Sequence, residues 1–333
     1  MGLNVAFVGI KDETDPLVFK RAIPKATFAD TIQKLKGKKE VSLLSIFVNT
    51  VISKNELSLF PNLRYIITQS TGFDHIDIRE CKRRGIRVYN IPDYGTQTVA
   101  EYSIFLMMAL LRKFRKCESV LRTQVSVTHS ELRGKDAYGK TLGVIGCGRI
   151  GSQVVRIAHG LGMKVLVHSH RRDSELEQKY GAKFVSFYTL IKSADIISLH
   201  LPLTRETKHI INKKTISKMK KGAIIINTAR GGLVDVVALA EELQRGKLGG
   251  AALDVIESED LIAHENDILT KKVGIDTIKR AFIGNMLLEF ENVILTPHIA
   301  YNTEDAIRRI VEKTLWTINE IERGNEELYN LVC

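Results

Sequence analysis

The chain has 333 residues, a hydrophobic fraction of 44% and a formal net charge of +11 at pH 7. This length suits one large domain or two ordinary ones, and no apolar run reaches the roughly 18 residues that span a bilayer. The basic residues alternate with acidic ones, as in "RRDSELEQK", which favours a basic surface that steers anionic ligands over a nucleic-acid-binding face.

The amino-terminal stretch and the cysteines both indicate a cytoplasmic protein. "MGLNVAFVGIKDE" lacks the basic and apolar regions of a secretory signal and is typical of a first strand. No pair at CxxC spacing occurs among the four cysteines, which are Cys81, Cys117, Cys147 and Cys333. Neither a zinc site nor a redox pair is therefore indicated, and scattered thiols fit a reducing compartment.

The first part of the chain alternates short apolar runs with polar segments. The runs "LNVAFVGI", "VSLLSIFVN", "LRYIITQS" and "IRVYNIP" are typical of strands in a parallel sheet with helices between them. The next stretch, Thr98 to Lys116, reads "TVAEYSIFLMMALLRKFRK". It predicts one long buried helix that leads into a second domain.

A second alternation begins at Gly143. Strands are predicted at "LGVIG", "KVLVHS", "DIISLHLP", "GAIIINTA", "GGAALDVI" and "NVILTPHIA". Apolar strands of this kind belong to a doubly wound sheet. After His298, "NTEDAIRRIVEKTLWTINEIERG" predicts a helix with Thr303 as its N-cap and Gly324 as its C-cap.

A glycine fingerprint, "GVIGCGRIG", follows the first strand of the second alternation. Gly146, Gly148 and Gly151 have the GxGxxG spacing. Gly146 permits a tight turn, Gly148 lets the backbone approach a pyrophosphate, and Gly151 lets helix pack on strand. Between a strand and a helix this motif predicts dinucleotide binding, and the alternative is a glycine-rich turn without a ligand.

The strand after the fingerprint ends without the expected acid. NAD-binding proteins commonly place a carboxylate about 20 residues further on, against the ribose 2′-OH, but here Ser169 is followed by His170, Arg171 and Arg172. A carboxylate would repel a 2′-phosphate, whereas Arg binds phosphate through paired hydrogen bonds. We therefore predict that NADP(H) is preferred and NAD(H) is possible. Alternatively, both arginines are a solvated helix start and Asp173 serves the ribose.

Three later motifs place reactive side chains at predicted strand ends, where α/β sheets bind ligands. "INTARGGLVD" contains Arg230, "ALDVIESED" contains Asp254 and Glu259, and "LTPHIAYNT" contains His298. An arginine can hold a substrate carboxylate, a histidine exchanges a proton near neutral pH, and a neighbouring carboxylate orients the ring. Taken singly each residue is more often structural, but together they suit the reduction of a 2-keto acid.

With "STGFDHID" and "LHLPLT", these motifs resemble the D-isomer-specific 2-hydroxyacid dehydrogenases over nearly the whole chain. The resemblance implies a triad in which Arg230 binds and polarises the keto acid and Glu259 supports His298, the acid/base. It implies an α/β fold of two doubly wound parallel-sheet domains with a cleft between them. A flavodoxin-like substrate domain would comprise residues 1–97 and 301–333, and a Rossmann-type cofactor domain residues 98–300.

The same resemblance implies further contacts. The substrate carboxylate would meet backbone amides at Thr71 and Gly72, with Tyr94 nearby. The other positions implied to contact the dinucleotide are Arg149 and Ile150 at the pyrophosphate, Leu201, Pro202 and Thr207 beside the adenosine, and Thr228, Ala229 and Asp254 with His298 around the nicotinamide.

Within the family the chain is most similar to the D-lactate dehydrogenase branch. The features shared with that branch are the long segment between Glu259 and His298 and the "IAYNT" that follows the histidine. Pyruvate is thus the expected substrate, and the resemblance also implies a homodimer. Tyr102 stands where His is common in relatives, and Asn49 stands where they often have an aromatic residue. The change at Asn49 would alter the wall of the substrate pocket, which keeps glyoxylate, hydroxypyruvate or a branched 2-keto acid as alternatives. An alternative of another class is a dinucleotide-sensing, corepressor-like binding protein.

Overall fold

The computed structural model describes residues 2–10, 14, 16–123, 126–257 and 274–333. The chain forms two compact units. The first, here called the split unit, comprises Met1–Gly95 and Asn302–Cys333. The second, the central unit, comprises Thr96–Tyr301.

The amino-terminal part of the split unit is a five-stranded parallel sheet with helices. In chain order its elements are β1 (Val5–Val8), α1 (Pro16–Ala22), β2 (Thr27–Ala29), β3 (Leu43–Ile46), α2 (Lys54–Leu57), β4 (Tyr65–Thr68), α3 (Ile78–Arg84) and β5 (Arg87–Tyr89). The strand order is β2-β1-β3-β4-β5, which is the flavodoxin-like doubly wound order. Strands β1, β3 and β4 are buried along their whole length, because runs of apolar residues let a parallel strand be covered on both faces.

The central unit contains a seven-stranded sheet in the order β12-β11-β10-β9-β6-β7-β8, with all neighbouring strands parallel. In chain order its described elements are α4 (Thr96–Leu111), α5 (Phe114–Thr123), β6 (Thr141–Ile145), α6 (Arg149–Gly160), β7 (Lys164–His168), α7 (Ser174–Tyr180), β8 (Lys183–Phe184), α8 (Phe187–Ser193), β9 (Ile196–Leu199), α9 (Lys213–Lys218), β10 (Ala223–Asn227), α10 (Val236–Gln244), β11 (Leu248–Leu253), α11 (Ile275–Met286) and β12 (Val293–Leu295). Short 3-10 turns lie at Gly231–Leu233 and Leu287–Glu289.

The chain reverses its direction of travel across this sheet at β6, which has β7 on one side and β9 on the other. Open α/β sheets bind ligands at such a reversal, outside the carboxyl ends of the strands. The prediction of two doubly wound parallel sheets is therefore confirmed. The edge strands β2 and β8, of three and two residues, were not predicted.

The prediction of one helix over Thr98–Lys116 is wrong. The backbone of Lys113 is left-handed, with a φ of 50°, and this residue separates α4 from α5. The Leu111 carbonyl at the end of α4 instead accepts a hydrogen bond from the Lys135 N–H at 2.8 Å. This distant donor satisfies an orphan carbonyl of the helix end, and the chain leaves α4 in a new direction.

The last helix, α12 (Glu304–Glu322), belongs to the split unit. Thr303 is its N-cap, as predicted, because its hydroxyl accepts a hydrogen bond from the Ala306 N–H at 3.2 Å. The C-cap is Arg323, and the predicted Gly324 follows it with a φ of 86°. Glycine adopts this left-handed conformation without the penalty of a Cβ.

Among the residues that the structure describes, three hydrophobic clusters hold these layers together. One lies in the split unit around β1, β3 and β4. The other two lie in the central unit and include residues from β6, β9 and β10. Among the described residues, no helix is both long and apolar enough to cross a membrane.

Candidate active site

The glycine turn between β6 and α6 is shaped by two close backbone approaches. Gly146 has a φ of 90°, and a Cβ on it would lie 2.4 Å from the carbonyl oxygen of His200. A Cβ on Gly151 would lie 2.1 Å from the carbonyl oxygen of Gly146. A Cβ on Gly148, in contrast, would meet nothing within 4 Å. The turn therefore excludes side chains on its inner side and leaves open space at its tip.

That open space lies at the amino terminus of α6. Gly148 is the N-cap and provides no side-chain cap, and the first intrahelical bond runs from the Ser152 N–H to the Gly148 carbonyl at 3.0 Å. The amides of Arg149, Ile150 and Gly151 thus precede the hydrogen-bonded turn. Such amides, together with the helix dipole, favour an anion. This cradle fits the pyrophosphate of a dinucleotide.

Cys147 and His200 border the turn as neutral groups. Burial raises the pKa of the Cys147 thiol to about 11, and the nearby Asp173 adds to this effect. Desolvation lowers the pKa of the His200 imidazole to about 4, and its Nε2 lies 2.8 Å from the hydroxyl of Ser198. Near pH 7 neither group adds charge where the pyrophosphate would bind.

The residues predicted to choose between NAD and NADP form the turn after β7. Ser169 is half-buried, while His170, Arg171 and Arg172 are exposed. Among the described residues neither arginine is paired with a carboxylate. The Oδ1 of Asp173 accepts hydrogen bonds from the Glu175 and Leu176 amides at 3.0 and 3.2 Å, so this acid caps α7.

The predicted adenosine-side residues lie in the loop after β9, the neighbour of β6. Leu201 lies against the glycine turn, with its Cδ2 2.8 Å from the place of a Cβ on Gly146. The hydroxyl of Thr207 donates to the Pro202 carbonyl at 2.7 Å and accepts from the Thr204 N–H at 2.7 Å. Thr207 therefore holds this loop closed on itself.

Arg230 follows the end of β10, in a turn organised by Asn227. The Asn227 side chain is fully buried; its Oδ1 accepts from the Ala229 N–H at 3.1 Å and its Nδ2 donates to the Arg230 carbonyl at 2.9 Å. Thr228 also lies in this turn, and its hydroxyl is 2.8 Å from the hydroxyl of Ser103 in α4. Asn227 was not among the predicted site residues, although it precedes "TARGG" directly.

The loop that carries His298 is fixed by Asp254, whose side chain is 1% exposed. Its Oδ1 accepts from the Thr296 hydroxyl at 2.6 Å and from the Ile299 N–H at 2.9 Å. Its Oδ2 accepts from the Ala300 N–H at 2.8 Å. The His298 N–H donates to the Asp254 carbonyl oxygen at 2.9 Å, and the His298 backbone is left-handed with a φ of 55°. Asp254, predicted as a nicotinamide contact, therefore also holds the loop of the histidine.

Tyr102, one of the departures from the family pattern, lies in α4 near the same loop. Burial raises the pKa of its phenol, with the Thr296 side chain and the Asp254 carboxylate nearby. The phenol is therefore a neutral hydroxyl at physiological pH.

The sheet brings Arg230, Asp254 and His298 to one edge, because they follow the carboxyl ends of the adjacent parallel strands β10, β11 and β12. Glu259, the third member of the predicted triad, lies outside the described residues. Two residues before it, Glu257 is fixed by two partners. Its carboxylate lies 2.9 Å from the Arg280 guanidinium and 3.0 Å from Nε2 of His209. Sequence reasoning missed Glu257, because its partners are distant in the chain.

The predicted substrate residues of the split unit occupy loops after the adjacent strands β4 and β5. The Thr71 hydroxyl donates to the Ile91 carbonyl at 3.0 Å. The Gly72 carbonyl accepts from the Ser70 hydroxyl at 2.6 Å. Tyr94 is buried, and its carbonyl accepts from Arg309 of α12 at 2.8 Å.

The chain is similar to known proteins over most of its length. Residues 104–300 match the family model of the D-isomer specific 2-hydroxyacid dehydrogenase, NAD binding domain. The chain is 38% identical over 284 residues to D-lactate dehydrogenase kk1H of Curvularia clavata, covering 84% of this chain and 78% of that one. It is 36% identical over 284 residues to the glyoxylate reductase of Thermococcus litoralis, covering 84% and 80%.

Among solved structures, the D-lactate dehydrogenase of Aquifex aeolicus complexed with NAD and lactic acid superposes with a TM-score of 0.89 at 35% identity, covering 99% of both chains. The chain belongs to the D-isomer-specific 2-hydroxyacid dehydrogenase family. It is an oxidoreductase that uses a nicotinamide cofactor and acts on a small 2-hydroxy acid or its 2-keto counterpart.

Replacing Asp254 with Asn should destabilise the protein, because one acceptor oxygen becomes a donor that faces backbone N–H groups. Leaving buried amides unsatisfied costs about 1–3 kcal/mol. Urea unfolding measures this change, and hydrogen exchange should rise at residues 296–300. The exposed Asp276 in α11 provides a control, Asp276→Asn, and equal stability of the two variants would contradict a structural role for Asp254.

Proposed function

We propose that the protein reduces pyruvate to D-lactate and prefers NADPH as the hydride donor. The observation that carries this proposal is the placement of Arg230 and His298 after β10 and β12, the two strands that flank β11, with the His298 loop fixed by the buried Asp254. A cation beside a proton donor is what a carboxylate next to a ketone requires. The likeness to D-lactate dehydrogenases supports pyruvate.

The roles of the chain's own residues follow from their chemistry. When bound, the nicotinamide supplies a hydride to the keto carbon. Arg230 binds the substrate and polarises its carbonyl, while the imidazolium of His298 gives its proton to the carbonyl oxygen, which becomes the hydroxyl. Glu259 is proposed to favour the protonated ring. The backbone amides of Thr71 and Gly72 would bind the carboxylate, beside Tyr94.

The preference for NADPH is supported by the turn after β7. Arg171 and Arg172 are exposed and, within the described part of the chain, unpaired with carboxylates, so they are available to a 2′-phosphate. The alternative assigned the ribose to Asp173, but its Oδ1 already caps α7. A carboxylate used as a cap is a weaker candidate for a ribose contact.

Glyoxylate is the second candidate substrate, because the glyoxylate reductase of Thermococcus litoralis is nearly as similar to the chain as the D-lactate dehydrogenase of Curvularia clavata. A methyl group in an apolar pocket changes transition-state binding by only about 1–3 kcal/mol. Activity on both 2-keto acids is therefore expected, as is some activity on hydroxypyruvate or a branched 2-keto acid.

The first test is the initial rate of pyruvate reduction with NADPH and with NADH, followed by absorbance of the reduced nicotinamide. We expect a higher kcat/KM with NADPH. In the double variant Arg171→Ala/Arg172→Ala, the KM for NADPH should rise about tenfold or more, because charge-assisted bonds to phosphate are lost, while the KM for NADH changes little. The exposed pair Lys213→Ala/Lys214→Ala in α9 is a control. An equal change in the KM for NADPH and the KM for NADH would show that the two arginines are ordinary solvated surface residues.

The double variant addresses only the cofactor. No turnover of pyruvate, glyoxylate or hydroxypyruvate by the wild type would refute the proposed reaction and favour a dinucleotide-sensing binding protein.

Replacing His298 with Ala should lower kcat by roughly 10²–10⁴-fold, the usual contribution of general acid–base catalysis. Dinucleotide binding, measured by NADPH fluorescence, should change far less. His159→Ala is a matched control on α6, since that histidine follows the glycine turn by two helical turns and packs on Tyr180. A kcat close to the wild-type value would remove His298 from the mechanism.

We also infer a homodimer joined through α5. This helix has no buried residue, yet Phe114 and Leu121 lie two turns apart on one face and are 58% and 81% exposed. Two exposed apolar side chains on one helix face are a candidate core for a protein–protein contact, and a symmetric dimer is the commonest assembly. Leu121→Asp should yield monomers in sedimentation equilibrium, whereas Ser119→Asp on the opposite face should not. A wild-type monomer at micromolar concentration would refute the dimer.

We propose a cytoplasmic location. All four cysteines have free thiols, which fits a reducing compartment.

A further inference from the structure

The loop after β4 in the split unit has three successive carbonyl groups that each accept a hydrogen bond from the protein. The Ser70 carbonyl accepts from the Ile91 N–H at 3.0 Å. The Thr71 carbonyl accepts from the Asn90 side-chain amide at 2.7 Å. The Gly72 carbonyl accepts from the Ser70 hydroxyl at 2.6 Å. Each of these peptide planes therefore has a fixed orientation.

In a planar trans peptide the carbonyl oxygen and the next N–H point in opposite directions. The amides of Thr71, Gly72 and Phe73 consequently point away from the donors that bind the three carbonyls. Within the described part of the chain, none of these three amides donates to a protein acceptor. Successive free N–H groups form a concave anion site, which suits a carboxylate.

Asn90, the central donor, is itself bracketed by Asn330. The Asn90 N–H donates to the Asn330 carbonyl at 3.0 Å, and the Asn330 side-chain amide donates to the Asn90 carbonyl at 2.8 Å. The Asn330 amide also donates to the Thr317 hydroxyl of α12 at 3.1 Å. Both asparagines are buried, so these bonds are shielded from competing water.

The segment around Asn330 is fixed along β5. The Val332 N–H donates to the Val88 carbonyl at 2.7 Å, and the Val88 N–H donates to the Cys333 carbonyl at 2.8 Å. Tyr89 and Leu331 form an antiparallel bridge. This pairing determines where Asn90 lies, because Asn90 follows β5 directly.

We propose that Asn330 is a positioning residue for the substrate carboxylate, which acts through Asn90 on the amides of Thr71–Phe73. This inference rests on the proposed function. Asn330 does not touch the substrate; it bonds to the Asn90 N–H and carbonyl, and so fixes the backbone from which the Asn90 side chain reaches the Thr71 carbonyl. Loss of that restraint lets the Thr71–Gly72 peptide rotate and weakens carboxylate binding.

The test is Asn330→Ala, assayed with pyruvate and the preferred cofactor. The KM for pyruvate should rise roughly 3- to 10-fold, the effect of one lost neutral hydrogen bond. The inhibition constant of oxamate, which carries the same carboxylate, should rise in parallel, while kcat and the KM for the dinucleotide stay near wild-type values. A matched control is Asn325→Ala, because the Asn325 side chain is exposed and, among the described residues, bonds to Glu320 alone, at 2.7 Å.

Should Asn330→Ala fail to fold, Thr317→Val removes the anchor of Asn330 at nearly constant volume and should raise the same KM by a smaller factor. An unchanged pyruvate KM in a folded variant would overturn the inference and leave the proposed function intact. An equal rise in the dinucleotide KM would also overturn it, since the effect would not be specific to the carboxylate. Absence of wild-type turnover with any 2-keto acid would refute the proposed function, and this inference with it.

Discussion

The buried carboxylate of Asp254 is the group on which the candidate active site depends. It accepts two backbone amides and one hydroxyl from the loop after β12, and charge-assisted bonds of this type are stronger than neutral ones. Because its own strand, β11, lies between β10 and β12, it ties the loop of His298 to the sheet that also carries Arg230. Rigid placement of this kind is what proton transfer at a defined distance requires.

The two proposed anion sites, one in each unit, have the same physical arrangement. In each, loops after adjacent parallel strands present backbone N–H groups, from Arg149 to Gly151 in the central unit and from Thr71 to Phe73 in the split unit. In the central unit the helix dipole of α6 supports the anion. In the split unit side chains orient the peptides instead, notably Asn90. The helix amino terminus in the central unit depends on local sequence. The oriented peptides in the split unit depend on contacts between distant segments.

This difference explains what could be predicted from the sequence. The glycine fingerprint was readable because its three glycines lie within six consecutive residues, Gly146 to Gly151, although the carbonyl that excludes a Cβ at Gly146 belongs to the distant His200. The end of α4 could not be predicted, because the Leu111 carbonyl accepts its hydrogen bond from Lys135, a residue far along the chain. The bracketing of Asn90 by Asn330 spans 240 positions and leaves no local pattern. Short edge strands such as β2 were missed because three residues carry too little periodicity.

The left-handed backbone of His298 has a consequence for how the protein can change. A side chain with a Cβ in this conformation costs on the order of 1 kcal/mol or more, a cost that Gly, which has no Cβ, would not carry. A screen for thermal resistance alone would therefore tend to discard the proposed acid/base. At this residue the proposed acid/base stands on a backbone conformation that disfavours side chains with a Cβ, so folding stability and the proposed activity make opposite demands.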